Sequence, residues 1–195
     1  MDASARIARD SDDDALIVRV AARDADAFRV LADRHGALPY RIGYRMTGDA
    51  AEAEDIAQEA FLRLWDKATR WRPGGPGVAA WLTRVAMNLS LDRLRRRRFA
   101  SDEPVPERAD EAIGADEAIE QEQTTAAVRA CIASLPERQR AAIVLTYYEE
   151  LANREAAETL DMNLKAFESL LFRARAALCD SLRAHAAIGP RSETR

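Results

Sequence analysis

Between Ser101 and Gln123 the chain carries nine acidic residues and a single base, Arg108, together with Pro104 and Pro106. A stretch of that composition buries too little apolar surface to offset the entropy of ordering it. It therefore divides the 195 residues into two blocks, each of which must build its own modest core. We read residues 99–123 as a flexible acidic linker. The same stretch reorganises the charge. The formal net charge is −4, which by itself speaks against a nucleic-acid binder. The acidic stretch alone carries −8, so everything outside it totals +4. Immediately before it Arg93, Arg95, Arg96, Arg97 and Arg98 crowd together. Two mildly basic blocks flank an acidic tether.

Both blocks read as helical. Only 8 Gly and 7 Pro are present, and no segment sustains the apolar–polar alternation of a strand. Ala15–Ala22 follows Ser11 and three aspartates, an arrangement that predicts a helix capped there. Phe28, Leu31, His35, Leu38 and Ile42 recur at helical steps, and Thr47-Gly48-Asp49 reads as a turn. Ala50–Lys67 is a strong helix with Ile56, Ala60 and Leu64 on one stripe and Phe61 and Trp65 beside it. A loop over Trp71–Gly77 precedes a helix from Val78 to Arg98, with Trp81, Leu82, Val85, Leu89 and Leu94 on its apolar face. In the second block, helices are expected over Thr125–Ser134, Glu137–Glu149, Arg154–Leu160 and Leu164–Leu182. The tail Gly189–Arg195 is expected to fray. The fold class is all-α, two small helical domains joined by the linker, the second containing a helix-turn-helix.

Several chemistries find no support. Cys131 and Cys179 lack CxxC spacing and read as small buried apolar residues of a reducing compartment. His35 and His185 stand apart, so no metal site and no cofactor is expected. No nucleophile–base pair or phosphate loop is visible, and no enzyme is expected. The start of the chain lacks the apolar core of a signal peptide, and no apolar run approaches a membrane span. A cytoplasmic protein without membrane insertion is the expectation.

Three segments carry interaction chemistry. Asp55, Gln58, Glu59 and Arg63 form a polar stripe opposite Ile56 and Ala60, which fits a solvated face and a docking face equally. From Trp81 onward, Thr83, Arg84, Asn88, Asp92 and Arg95 give the next helix a polar face rich in hydrogen-bonding groups. Trp71 and Trp81 offer stacking surfaces for unpaired bases or simple core packing. The third segment is a short helix, the turn Asp161-Met162-Asn163 and a longer helix. Ala156, Ala157 and Leu160 would pack on Phe167 and Leu171, the outline of a helix-turn-helix. Lys165, Arg173 and Arg175 supply cations there, although a plain helical hairpin with solvated arginines has the same pattern.

In this order, AFRVLADRHGALPYRIGYRMTGDAAEAEDIAQEAFLRLW, AWLTRVAMNLSLDRLRRRR and LPERQRAAIVLTYYEELANREAAETLDMNLKAFESLLFRARAAL resemble the sigma-70 family, in its extracytoplasmic-function (ECF) group. The resemblance spans roughly Asp14–Leu182. It implies that residues 14–98 bind RNA polymerase core, through its beta and beta-prime subunits, and open the minus-10 promoter element. It implies that residues 124–186 bind the minus-35 element. By resemblance, Asp55, Gln58, Glu59 and Phe61 dock on polymerase. Trp81, Arg84, Asn88, Asp92, Arg93, Arg95 and Arg96 meet minus-10 DNA. Asn163, Lys165, Glu168, Ser169, Arg173 and Arg175 meet minus-35 DNA. The chain departs from the family at Asp161, where a Gly is usual, and at Glu168 and Leu170, near which a basic residue is usual. The resemblance also implies a stress-response role and a controlling anti-sigma factor, often membrane-anchored. A stand-alone helix-turn-helix transcriptional regulator is the alternative.

Overall fold

The Thr47-Gly48-Asp49 turn shows how the first block folds. In the computed structural model, which describes residues 3–72, 74–100 and 126–188, helix α3 (Ala37–Thr47) closes on Gly48. Gly48 has a left-handed φ of 72°, and its N–H donates to the Tyr44 carbonyl at 2.8 Å. Helix α4 (Ala50–Lys67) then opens on Asp49, whose carboxylate accepts from the Glu52 N–H at 3.0 Å. These bounds for α4 are the ones its sequence period predicts. Gly43 lets α3 approach it closely. A Cβ on Gly43 would stand 3.1 Å from the Ala53 Cα and 3.3 Å from the Ile56 Cδ1.

The chain divides into two compact units, Met1–Arg93 and Leu94–Arg195. The first comprises α1 (Ala3–Ala21), α2 (Ala25–His35), α3, α4, a 3-10 turn (Ala68–Arg70) and most of α5 (Gly77–Ala100). Its core is a set of helical stripes: Ile17 and Val20, Leu31, Ile42 and Met46, Ile56 and Leu64, and Leu82 and Met87 are all fully buried. Each such side chain contributes about 1.5–3 kcal/mol relative to leaving it exposed.

Three sequence expectations change here. Helix α1 spans Ala3–Ala21, so Ser11 and the aspartates lie within the helix and not at its N-terminus. Asp13, 1% exposed, instead receives the Arg34 guanidinium and lies 2.7 Å from the His35 Nε2. Asp12 receives Arg34 Nη2 at 2.7 Å. Tertiary cations, absent from any local window, take the acids that a cap would have used. The run from Phe28 to Ile42 is two helices, separated at Gly36. Thr83, expected on the polar face of α5, is 5% exposed. Its hydroxyl bonds back to the Ala79 carbonyl at 2.9 Å, which removes the cost of burying it.

The second unit holds α6 (126–133), α7 (Glu137–Ile143), a π-helical turn (Val144–Tyr148), α8 (Asn153–Thr159) and α9 (Leu164–Ile188). Phe167, Leu145 and Ile143 centre its core. Arginines cap helix ends from a distance: Arg138 Nη2 donates to the Leu160 carbonyl at 3.1 Å, and Arg140 reaches the carbonyls of Ala133 and Leu135. Cys131 is buried as expected, with its Sγ 3.6 Å from His185 Nδ1, but Cys179 is exposed. Left-handed residues other than glycine follow three helical segments: Arg23 (φ 64°), Glu150 (φ 53°) and Asp161 (φ 54°). The described residues contain no strand, and no described helix is long and apolar enough to cross a membrane. The expected linker, apart from its first two residues, and the tail Gly189–Arg195 lie outside the described residues.

Two outcomes follow from this packing. Gly43→Leu drives a side chain into α4 and should lower the free energy of unfolding in urea by about 1–3 kcal/mol; parental stability would mean that α3 and α4 tolerate separation. The second concerns Asp24, the N-cap of α2. The Ala27 N–H, then the Arg19 guanidinium, hold its carboxyl below its ordinary value of 3.8. A depressed folded pKa stabilises above the unfolded pKa and is lost as pH falls through the folded one. Asp24→Ala should therefore melt below the parent at neutral pH, with the gap closing in acid; a gap that persists unchanged there contradicts the assignment.

Candidate partner and nucleic-acid interfaces

The outer face of α4 is built by the same period that buries its inner one. Asp55 and Gln58 are exposed and Glu59 is half-buried, so the structure brings this expected trio together along one stripe. Glu59 accepts from Arg63 Nε at 2.8 Å, and Asp55 pairs with Arg93 Nη1 at 3.3 Å. Such surface pairs are worth under about 1 kcal/mol, so an incoming partner can exchange them cheaply. Phe61 does not join the stripe. Its ring lies edge-on to Phe28 at 6.1 Å, and Phe28 meets Trp65 at 5.1 Å, a half-buried aromatic cluster. Leu62 does join it, 60% exposed beside Gln58 and Glu59. The sequence signal for Leu62 was available: it is a large apolar residue out of register with Ile56, Ala60 and Leu64.

On α5, Arg84 and Asn88 are exposed, Asp92 and Arg93 are half-buried, and Arg95 and Arg96 are exposed further along the same helix. Arg84, Asp92 and Arg95 are each already engaged within the fold. Trp81 is half-buried against Trp71, ring centroids 6.2 Å apart and edge to face. One carboxylate fixes the loop between these tryptophans. Asp14 Oδ1 accepts from Trp71 Nε1 at 2.9 Å, and Asp14 Oδ2 accepts from the Gly74 N–H at 3.0 Å. Gly74 has φ 78°, a conformation that its lack of a Cβ makes cheap. Trp71 is thus neither core nor free, and α1 holds it through Asp14, 57 positions earlier in the chain.

In the second unit, α8 and α9 form the expected helix-turn-helix. Ala156, Ala157 and Leu160 are buried, as are Phe167 and Leu171. Asp161 takes the left-handed position of the turn, where an Asp side chain is tolerated better than most. Asn163 caps α9, its Oδ1 accepting from the Ala166 N–H at 2.8 Å. Lys165, Glu168, Ser169 and Arg173 line one open depression with Phe172. Arg175 belongs elsewhere, its guanidinium 5.4 Å from the Tyr147 ring centroid. Leu170 is 7% exposed, so the lack of a basic residue there leaves the outward face untouched. Phe172, 74% exposed, was not anticipated, although it falls in register with Glu168 and Ser169. Among the described residues no group of three or more His, Cys, Asp and Glu is gathered to hold a metal ion.

Comparison with known proteins follows the same two units. Residues 31–100 match the family model for Sigma-70 region 2, and residues 125–178 match that for Sigma-70, region 4. The chain is 35% identical over 159 residues to the ECF RNA polymerase sigma factor SigE of Mycolicibacterium smegmatis, covering 80% of this chain and 61% of that protein. It is 34% identical over 170 residues to the ECF RNA polymerase sigma factor SigK of Mycobacterium sp. (strain KMS), covering 82% and 84%. It is 30% identical over 187 residues to the ECF RNA polymerase sigma factor SigW of Bacillus subtilis, covering 86% and 95%. Among solved structures, CnrH in complex with the cytosolic domain of CnrY matches with a TM-score of 0.66 at 27% identity, over 88% of this chain and 97% of that one. The sigma factor RpoE in complex with the anti-sigma factor NepR from Bartonella quintana shares the fold, with a TM-score of 0.62 at 19% identity over 80% and 96%.

Asp14→Ala removes both bonds to the tryptophan loop and should lower stability by about 1–3 kcal/mol. It should also change the near-ultraviolet circular dichroism of the tryptophans; an unchanged spectrum would mean that the loop does not depend on this carboxylate.

Proposed function

The chain belongs to the sigma-70 family, in its ECF group, and we propose that it binds RNA polymerase core and directs promoter-specific transcription initiation. The observation that carries this reading is the order of two surfaces in one chain. A region 2 segment presents Asp55, Gln58 and Glu59 outward, and a region 4 segment folds as a helix-turn-helix with Lys165 and Arg173 outward. Residues 14–98 dock on the beta and beta-prime subunits and engage the minus-10 element through Trp81, Arg84, Asn88, Asp92, Arg93, Arg95 and Arg96. Residues 124–186 engage the minus-35 element, and residues 99–123 tether the two. A stand-alone helix-turn-helix regulator would leave the acidic α4 face and the polar face of α5 without a role.

The chain supplies binding and position, and the polymerase supplies the chemistry. Cations on each DNA-binding face displace counterions from phosphate, so promoter binding weakens steeply with salt. Flipping a base out of the duplex costs a few kcal/mol. Polymerase contacts on α4 and capture of unpaired bases beside Asn88 offset that cost, because an unstacked base exposes its pairing edge and its π face. Two of the solved relatives are complexes, one of them with an anti-sigma factor. An anti-sigma factor that covers these surfaces is the controlling partner we assign to this chain, and the cytoplasm is its compartment.

The decisive experiment measures core binding and promoter opening separately. Reversing charge at Asp55 and Glu59 and placing Lys at Gln58 should weaken binding to core polymerase by tenfold or more, on the order of 1.4 kcal/mol, with helical content unchanged; parental core affinity would refute the docking face. Asn88→Ala should reduce open-complex formation more than core binding. An equal loss in both would indicate a fold defect in place of a DNA contact. A gel shift on duplex promoter completes the set: the chain alone should bind poorly and the holoenzyme well, whereas tight binding without core would favour the stand-alone regulator.

A further inference from the structure

The loop that leads into α5 has much conformational freedom to lose. Gly74, Gly75 and Gly77 follow Trp71 within six positions, and glycine gives up more freedom on ordering than any other residue. Gly74 and Gly77 both sit at φ 78°, a region that other residues seldom enter. Such a sequence does not by itself select one shape. A distant carboxylate does. Asp14 Oδ1 accepts from the Trp71 Nε1 at 2.9 Å and Asp14 Oδ2 from the Gly74 N–H at 3.0 Å, so both oxygens of one side chain are committed to the loop.

What the carboxylate holds is an aromatic surface next to the polar face of α5. Trp71 is half-buried and meets Trp81 edge to face. Arg84 and Asn88 follow Trp81 one and two turns along the helix, and both are exposed. The turn of α1 that carries Asp14 is fixed in its own right. Asp13 receives Arg34 and lies against His35, and Asp12 receives Arg34 as well. A line of contacts therefore runs from α2 through α1 to the loop and on to Trp81. Asp14 is an anion, which would repel a phosphate, so its use lies in what it holds.

We propose that Asp14 is a positioning residue for promoter opening. By binding the Trp71 indole and the Gly74 amide it orders the loop before DNA arrives. Capture of the unpaired minus-10 strand beside Trp81 and Asn88 then does not carry the entropy of ordering that loop, and affinity rises without a new contact. This rests on the reading of the first unit as the minus-10 domain. Asp14 acts on the strand through Trp71, so its removal weakens strand binding even though a negative charge is lost.

The test titrates holoenzyme, assembled from core polymerase and the full chain, with single-stranded oligonucleotides of each minus-10 strand. Their sequence comes from a promoter that the parental holoenzyme transcribes, and the parent should bind one of the two strands. Asp14→Ala should bind that strand about tenfold more weakly, the scale of one hydrogen bond to a charged group, with core affinity and helical content unchanged. Trp71→Phe keeps an aromatic ring and deletes the indole donor, and it should lose part of the same affinity. Adding Asp14→Ala to Trp71→Phe should then have a smaller effect than in the parent, because residues in contact are not additive. Asp24→Ala weakens the same unit at the cap of α2 and should bind the strand as the parent does. Unchanged or tighter strand binding by Asp14→Ala, or full additivity with Trp71→Phe, overturns the proposal. So does an equal loss in Asp24→Ala, which would reduce Asp14 to a part of the scaffold. A parental holoenzyme that transcribes but binds neither strand overturns the minus-10 assignment, and this proposal with it.

Discussion

Three consecutive carboxylates in the middle of α1 organise the first unit. A buried charge is costly unless it is paired and hydrogen-bonded. Asp13, at 1% exposure, satisfies that condition only because α2 brings Arg34 and His35 against it. Asp12 shares Arg34, and Asp14 reaches the opposite way to Trp71 and Gly74. One turn of helix thereby fixes the end of α2 on one side and the loop that leads into α5 on the other. Apolar stripes give the unit its stability, and this acid run gives it a single arrangement.

The same contrast explains what could be read from the chain in advance. Elements governed by local chemistry were legible. The bounds of α4, its buried Ile56, Ala60 and Leu64, the Gly48–Asp49 turn and the Phe167 packing of the helix-turn-helix all follow from spacing and capping within one or two turns. Features that depend on a distant partner were not. Ser11 and the aspartates after it look like a cap because a cap is the local use of such residues; the partners of Asp12, Asp13 and Asp14 lie 21, 22, 57 and 60 residues away. Thr83 looked like part of a polar face because its bond to the Ala79 carbonyl is invisible in a pattern of residue types.

The interaction faces were legible as stripes, while what each side chain touches was not. Asp55, Gln58 and Glu59 share a face because helix geometry requires it, and so do Lys165, Glu168, Ser169 and Arg173. Phe61, Asn163 and Arg175, assigned to these faces by resemblance, also have neighbours within the fold: a ring cluster, a helix cap and a tyrosine ring. Leu62 and Phe172 went unnoticed for the converse reason, since apolar residues are assumed to point inward. An apolar residue out of phase with the buried stripe is the more informative signal.

The left-handed residues bear on how the chain could be altered. Arg23, Glu150 and Asp161 hold positive φ with a Cβ present, a strain on the order of 1 kcal/mol apiece that glycine would not incur. Stability is thus left in reserve at three helix junctions, none of them in a core and only one of them in the helix-turn-helix. Natural chains are selected to clear a threshold of stability and not to maximise it. For protein engineering, this chain has room to be made hardier at Arg23 and Glu150 without altering a single residue assigned to a partner or to DNA.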